Sequence, residues 1–219
     1  MVKQERALRT REALIESAAE VFDREGFTVA SLTAISSRAG VSNGALHFHF
    51  ASKAALAGAV EENAGNRLDR VTQRCAGRPN ALQTLVDATH ELARALREDV
   101  VLRAGFGLSG ESLHADGRNL RRAWSRWVEG TVRRADDEGV LAAVPPRDVT
   151  LAVVAATVGF EVLGVRDAEW LSRRTLTRFW QLLLPLLAAP ATLGTLTAEG
   201  AHPARTKDAA RTEAADQKA

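Results

Sequence analysis

The chain has 219 residues, 46% of them hydrophobic and 26% charged, with a formal net charge of +2; that suffices for one fairly large domain, or for a small domain joined to a larger one. A lone cysteine, Cys75, excludes an internal disulfide framework and a cysteine-based zinc site within one chain. The longest apolar stretch, Leu151 to Val165, is interrupted by Glu161 and falls short of a membrane span.

The N-terminus, MVKQERALRTREAL, lacks the apolar core of a signal peptide, so a cytoplasmic location is expected. Lys3, Arg6, Arg9 and Arg11 outweigh Glu5 and Glu12 there, giving a locally positive arm. Periodicity predicts a helix over 7–25, with Leu8, Leu14 or Ile15, Ala18, Val21 and Phe22 on its inner stripe and Gly26 as its C-terminal cap. Short pieces fill 31–50. A longer helix then runs from Ser52 to about Cys75 on a stripe of Leu56, Val60, Ala64, Leu68 and Val71, and Gly77 and Pro79 break it. Asn80 to Glu98 reads as helix through Leu82, Leu85, Val86, Leu92 and Leu96, and a shorter apolar piece at 100–108 leads into a loop at SGESLHADG. Helix resumes over Asn119 to Glu138. Pro145 to Asp148 opens a strongly apolar helix through about Val165, and a last helix spans Asp167 to Ala188, which Pro185 should kink or end. Beyond Pro190 the Ala, Thr and charge content predicts a flexible tail. The expected fold is all-α.

The helices at 149–165 and 168–187 are apolar on more than one face, which requires burial on more than one side. A second subunit or the chain's own core would serve the first equally well. Trp170, Phe179, Trp180 and the leucine run favour a homodimer interface for the second.

The segment SLTAISSRAGVSNGALHFHFASKAAL, Ser31 to Leu56, reads as one object. Thr33 is placed to cap a short helix whose Leu32, Ile35 and Ala39 face inward. Gly40 supplies the positive φ of a tight turn, with Val41 packed beneath it. Ser42 caps a second short helix, and Ala45, Leu46 and Phe50 return to the core. Two short helices joined by such a turn form a helix-turn-helix, whose second helix enters the major groove. Asn43 and His47 then face outward, Ser42 and Asn43 offer donors, and small Gly44 and Ala45 permit close approach. His47, His49 and Lys53 are placed to donate to the phosphate backbone, Lys53 at the start of the next helix. A metal site on His47 and His49 is disfavoured, because i and i+2 on a helix diverge by about 200°. A structural role remains open for a histidine, His49 being the better candidate.

The segment resembles the TetR family of bacterial repressors, whose pattern runs as Thr33, Ile35, Ala39, Gly40, Val41, Ser42, Gly44, Leu46, His49, Phe50, Ser52, Lys53 and Leu56 do here. That family commonly has tyrosine at the place of His47. GALHFHF, with Leu102 to Ser109 and Trp127, looks like the γ-butyrolactone receptor branch of streptomycetes, and specifically its pseudo-receptors. Where butyrolactone receptors place polar side chains, this chain shows Ala64, Gly130 and Glu161. The resemblance implies a helix-turn-helix domain over 1–52, a helical ligand-binding and dimerisation domain over 53–189, and a tail over 190–219. It implies a pocket with Trp127 in its lining, around which we group Trp124, Thr131, Thr157 and Phe160 as candidate contacts. Trp124 and Trp127 serve equally as plain core aromatics.

Other signals are discounted. Gly105 to Gly110 matches a dinucleotide fingerprint but lacks the strand and βαβ unit that motif needs. The adjacent pairs Glu61–Glu62 and Asp136–Asp137 point apart on a helix, and His90 and His114 have no catalytic neighbours. No enzyme chemistry and no cofactor are expected. The expected function is a homodimeric repressor that binds palindromic double-stranded DNA and is released by a small apolar effector, controlling secondary metabolism. A repressor of a drug-efflux or degradative gene is the nearer alternative; a helical small-molecule-binding protein without DNA function is the more distant one.

Overall fold

The computed structural model describes residues 2–110 and 118–201, with the side chains of the first two left out. Among these residues there are helices and turns but no strand beyond an isolated antiparallel bridge, Leu141 to Ala188. No helix among them is long and apolar enough to cross a membrane.

Helix α1 (Val2–Val29) carries Leu14, Ile15, Ala18, Val21 and Phe22 into the core. Its regular winding breaks at Gly26, whose φ of 75° ends the helix where the sequence placed its cap. Leu8, expected on the inner stripe, is exposed, because the first turns of α1 extend past the core. Helices α2 (Leu32–Arg38) and α3 (Asn43–His49) follow, with Gly40 at φ 67° between them. Then come α4 (Lys53–Arg74), α5 (Ala81–Glu98) and α6 (Val100–Gly110). Asn80 caps α5, and the expected inward stripes of α4 and α5 are buried. Helix α7 (Leu120–Asp137), capped by Asn119, packs on α8 (Pro146–Gly164). Most of the loop expected before α7, with His114, lies outside the described residues.

Two expectations for the C-terminal part need correction. The last long helix is divided: a 3-10 turn, Ala168–Leu171, ends where Ser172 caps α9 (Arg173–Leu187) by accepting from the Thr175 N–H at 3.1 Å. Pro185 sits inside α9 without ending it there. Residues 190–201 are also not a loose tail. After α10 (Pro190–Leu193) the chain lies along α5, where Gln83 donates to the Thr197 carbonyl (3.2 Å) and accepts its N–H (2.8 Å). The Ala201 N–H donates to Asp87 Oδ1 at 2.8 Å, and Leu196 and Ala198 pack on the core.

Helix α8 buries Val149, Val153, Thr157 and Glu161 and leaves Leu151, Val162 and Leu163 in solvent. Helix α9 does the same with Trp180 inside and Leu182 and Leu186 outside. Trp180, grouped above with an interface, is core: its Nε1–H donates to Thr89 Oγ1 at 2.7 Å.

Candidate nucleic-acid interface and effector region

The second short helix is seated by its ends. Ser42 caps α3 by accepting from the Ala45 N–H at 3.2 Å, and Leu46 and Phe50 bury one face. What remains outward is Asn43, Gly44, His47 and Phe48, with Ala45 and His49 at the margins. A Cβ on Gly44 would meet nothing nearer than Ser42 Oγ at 3.8 Å. The fold therefore does not require glycine there, and the bare spot lies on the surface that any docked partner would meet.

Three candidate residues are engaged differently from expectation. Ser31, not Thr33, caps α2, accepting from the Ala34 N–H at 3.1 Å. Thr33 lies inside α2, because the chain turns helical two residues earlier than the sequence suggested. Thr33 Oγ1 instead receives Asn43 Nδ2 at 3.4 Å, while Asn43 Oδ1 accepts from Ser36 Oγ at 2.7 Å. Asn43 thus ties α3 to α2 as well as facing outward.

Lys53 does not reach outward. Its ammonium donates to the carbonyls of Phe27 (2.8 Å), Thr28 (3.2 Å) and Ala30 (2.9 Å), and stands 4.6 Å from the Phe27 ring centroid. These carbonyls follow the break at Gly26, where α1 runs out. The lysine clamps the end of α1 to the start of α4, and all its donors are occupied.

Phe48 was missed. It is 82% exposed, edge-on to the His49 ring with centroids 5.2 Å apart. The signal was present: with Leu46 and Phe50 inward at i and i+4, the three positions between them must include an outward one. His47 is exposed and His49 half-buried. At α2, Arg38 is paired with Glu20.

In the effector region, the candidate residues divide into two groups. Trp124, Thr131 and Thr157 are buried. Trp124 Nε1–H donates to Thr157 Oγ1 (2.8 Å), Thr131 donates to the Trp127 carbonyl (2.9 Å), and half-buried Trp127 stacks on Trp124 with centroids 5.1 Å apart. Phe160 belongs elsewhere, edge-on to Phe179 at 5.3 Å and tilted against Trp170 at 6.4 Å. Two cavities, of about 630 and 500 Å³, are lined by none of these five side chains. Glu161, 6% exposed, accepts a two-pronged ion pair from Arg121 at 2.9 and 3.1 Å, fixing α7 to α8.

The Gly-rich stretch is a packing device. A Cβ on Gly105 would overlap the Cβ of Ala64, so the glycine lets α6 approach α4 closely. Gly107 faces open space.

Comparison with known proteins agrees with this geometry. Residues 14–60 match the family described as bacterial regulatory proteins, tetR family. The chain is 32% identical to the A-factor receptor protein of Streptomyces griseus over 205 residues, covering 91% of this chain and 71% of that one. A crystal structure of a γ-butyrolactone receptor (ArpA-like protein) superposes with a TM-score of 0.74 at 26% identity, covering 88% of this chain and 96% of that one. CprB of Streptomyces coelicolor, in complex with its biological operator sequence, gives a TM-score of 0.73 at 28% identity, covering 87% and 94%. The capped, half-bare helix α3 and these similarities together place the chain in the TetR family of bacterial regulatory proteins, close to the γ-butyrolactone receptors.

Proposed function

We propose that this protein is a transcriptional repressor that binds palindromic operator DNA as a homodimer and is released by a small apolar effector. The observation that carries the reading is the outward face of α3, where a bare glycine lies beside exposed His47 and Phe48 on a helix held rigidly at both ends. Such a face suits close approach to a major groove, with His47 donating to the backbone. The apolar side chains left in solvent on α8 and α9, Leu151, Val162, Leu182 and Leu186 among them, support pairing with a second copy. That would set two α3 helices in successive grooves, about one turn apart.

Similarity to the A-factor receptor supports a small-molecule effector, entered beside Trp127 and shifting α4. The coupling asked of such a mechanism is typically ~1–3 kcal/mol. Control of secondary metabolism is the output we assign by the same similarity.

The test is a gel-shift titration on DNA upstream of the protein's own gene and its neighbours, over a range of salt, with and without extract of a late culture. A sequence-specific shift that weakens with salt and is abolished by extract is expected. His47→Ala should weaken binding to all sequences alike, and Trp127→Ala should keep operator affinity while blunting release. No specific shift on any fragment would overturn the repressor, and collapse of DNA binding in Trp127→Ala would overturn the pocket.

A further inference from the structure

The positive run at the start of the chain has no part in the α3 face described above. None of residues 4–13 is buried, and the family match spans 14–60, so the first turns of α1 lie outside both the core and the matched domain. From Val2 to Leu14, the first buried residue, the helix rises about 18 Å.

Charge on these turns is segregated. At about 100° per residue, Glu5, Glu12 and Glu16 fall within about 40° of one another on one side of α1. Arg9 lies beside them and pairs with Glu5 at 2.6 Å. Turned the other way, Arg6, Thr10, Ala7 and Arg11 succeed one another around the helix at intervals of about 40° and form a face without a carboxylate. Arg6 and Arg11 are exposed, and neither has a carboxylate partner among the described residues.

Arg11 fixes the direction of this face. Its guanidinium stands 5.2 Å from the ring centroid of Phe50, the residue that caps the C-terminal end of α3. The face therefore runs past the end of α3 at which His47 and Phe48 are exposed. From Gly26 to Val60 the chain has no aspartate or glutamate, so α2 and α3 bring no counter-charge of their own. Glu20, which reaches α2 from α1, is taken by Arg38. The bare side of α1 and the outward side of α3 thus continue one another as a single surface free of acid.

We infer that this face of α1 is a second DNA contact, in which Arg6 and Arg11 hold phosphates flanking the groove entered by α3. The inference rests on the DNA-binding reading above. Charge supplies the match, since a duplex carries one negative charge per about 1.7 Å of its axis and a guanidinium grips phosphate with two parallel bonds. The contact adds affinity and orientation without sequence preference, because phosphates carry none.

Fluorescence anisotropy of the full chain tests it on two labelled duplexes, the upstream fragment that gives the specific shift and a random sequence of equal length, over a range of salt. Arg6→Gln gives up no ion pair within the protein. It should weaken binding to both duplexes alike, by about threefold for each protomer bound, and lower the slope of log affinity against log salt by about 1 per protomer. Adding Arg11→Gln should lower that slope by about 1 more. Arg126→Gln, an exposed position on α7 with the same change in net charge, should leave affinity and slope as in the wild type. An Arg6→Gln chain with wild-type affinity and slope would overturn the inference and leave the α3 reading standing. Equal losses in Arg6→Gln and Arg126→Gln would reduce the effect to overall charge and overturn it too, as would a loss confined to the specific fragment, which would assign Arg6 to bases. No salt-sensitive binding by the wild type would remove the repressor reading along with it.

Discussion

Replacing Lys53 by methionine separates two roles that a basic residue beside a DNA-reading helix can have. Methionine keeps the aliphatic stem and removes the ammonium, so the carbonyls of Phe27, Thr28 and Ala30 lose their donor. Hydrogen bonds to a charged group are worth about 1.5–3 kcal/mol, and the contact with the Phe27 ring adds about 0.5–1 kcal/mol. The site is half-exposed, so water takes over part of what is lost, and we expect a net destabilisation of about 2 kcal/mol. For a chain of this size that lowers Tm by about 4–8 °C. Scanning calorimetry gives the shift, and a gel shift well below the variant's Tm gives operator affinity, which should stay within about twofold of wild type if the ammonium is structural. A Tm within about 1 °C of wild type, with operator affinity down about tenfold or more, would refute the reasoning and return Lys53 to the phosphate backbone.

Gly105→Ala should cost about 1–3 kcal/mol in a urea titration, because its methyl meets Ala64 across the α4–α6 contact; Gly107→Ala, in open space on the same helix, should gain about 0.5–1 kcal/mol. Adding Ala64→Gly to Gly105→Ala should recover much of the loss. Burial raises the Cys75 thiol from 9.0 to about 11, so the folded state holds that proton more tightly than the unfolded chain. The stability this confers is present below pH 9 and is lost as pH rises from about 9 to about 11. The chain has no tyrosine to obscure the effect. Urea midpoints of wild type should fall across that window, and Cys75→Ala should be flatter.

The parts of the fold that rest on local chemistry were legible. Caps at Ser42 and Asn80, the turn glycine Gly40 and the stripe from Leu56 to Val71 are each written within a few residues of where they act. What was not legible rests on partners far along the chain. Lys53 meets carbonyls more than twenty residues earlier, and backbone acceptors leave no trace in a sequence. The strap at 194–201 was read as a tail because its composition is that of a tail, but Gln83, Asp87 and His90 on α5 are ready to hold its backbone. Among the candidate effector contacts the sequence named four residues that do touch, Trp124, Trp127, Thr131 and Thr157, and could not say that Phe160 packs against Phe179 and Trp170 instead.

The route from effector to DNA also looks different once the corner between α5 and α6 is considered. Arg103 on α6 makes a two-pronged pair with Asp23 on α1, at 2.9–3.1 Å, and donates to the carbonyls of Leu96 and Arg97 at the end of α5. Asp99, at the turn itself, pairs with Arg67 on α4 and accepts the Val101 and Leu102 N–H groups that open α6. Helices α1, α4, α5 and α6 therefore meet in one knot of ion pairs, while Gly105 holds α6 against α4 at Ala64. Helices α2 and α3 hang from α1 and from the Lys53 clamp at the head of α4. On the proposed mechanism, an effector that moved α4 alone would have to break the Arg67–Asp99 pair and open the Gly105 contact. One that displaced α6 would carry α1 and α4 with it through contacts already made. Interfaces packed this tightly switch between discrete arrangements more readily than they deform. On that mechanism, the lever that would set the spacing of the reading heads is the α4–α6 pair moving as a unit, with Arg103 as its attachment to α1.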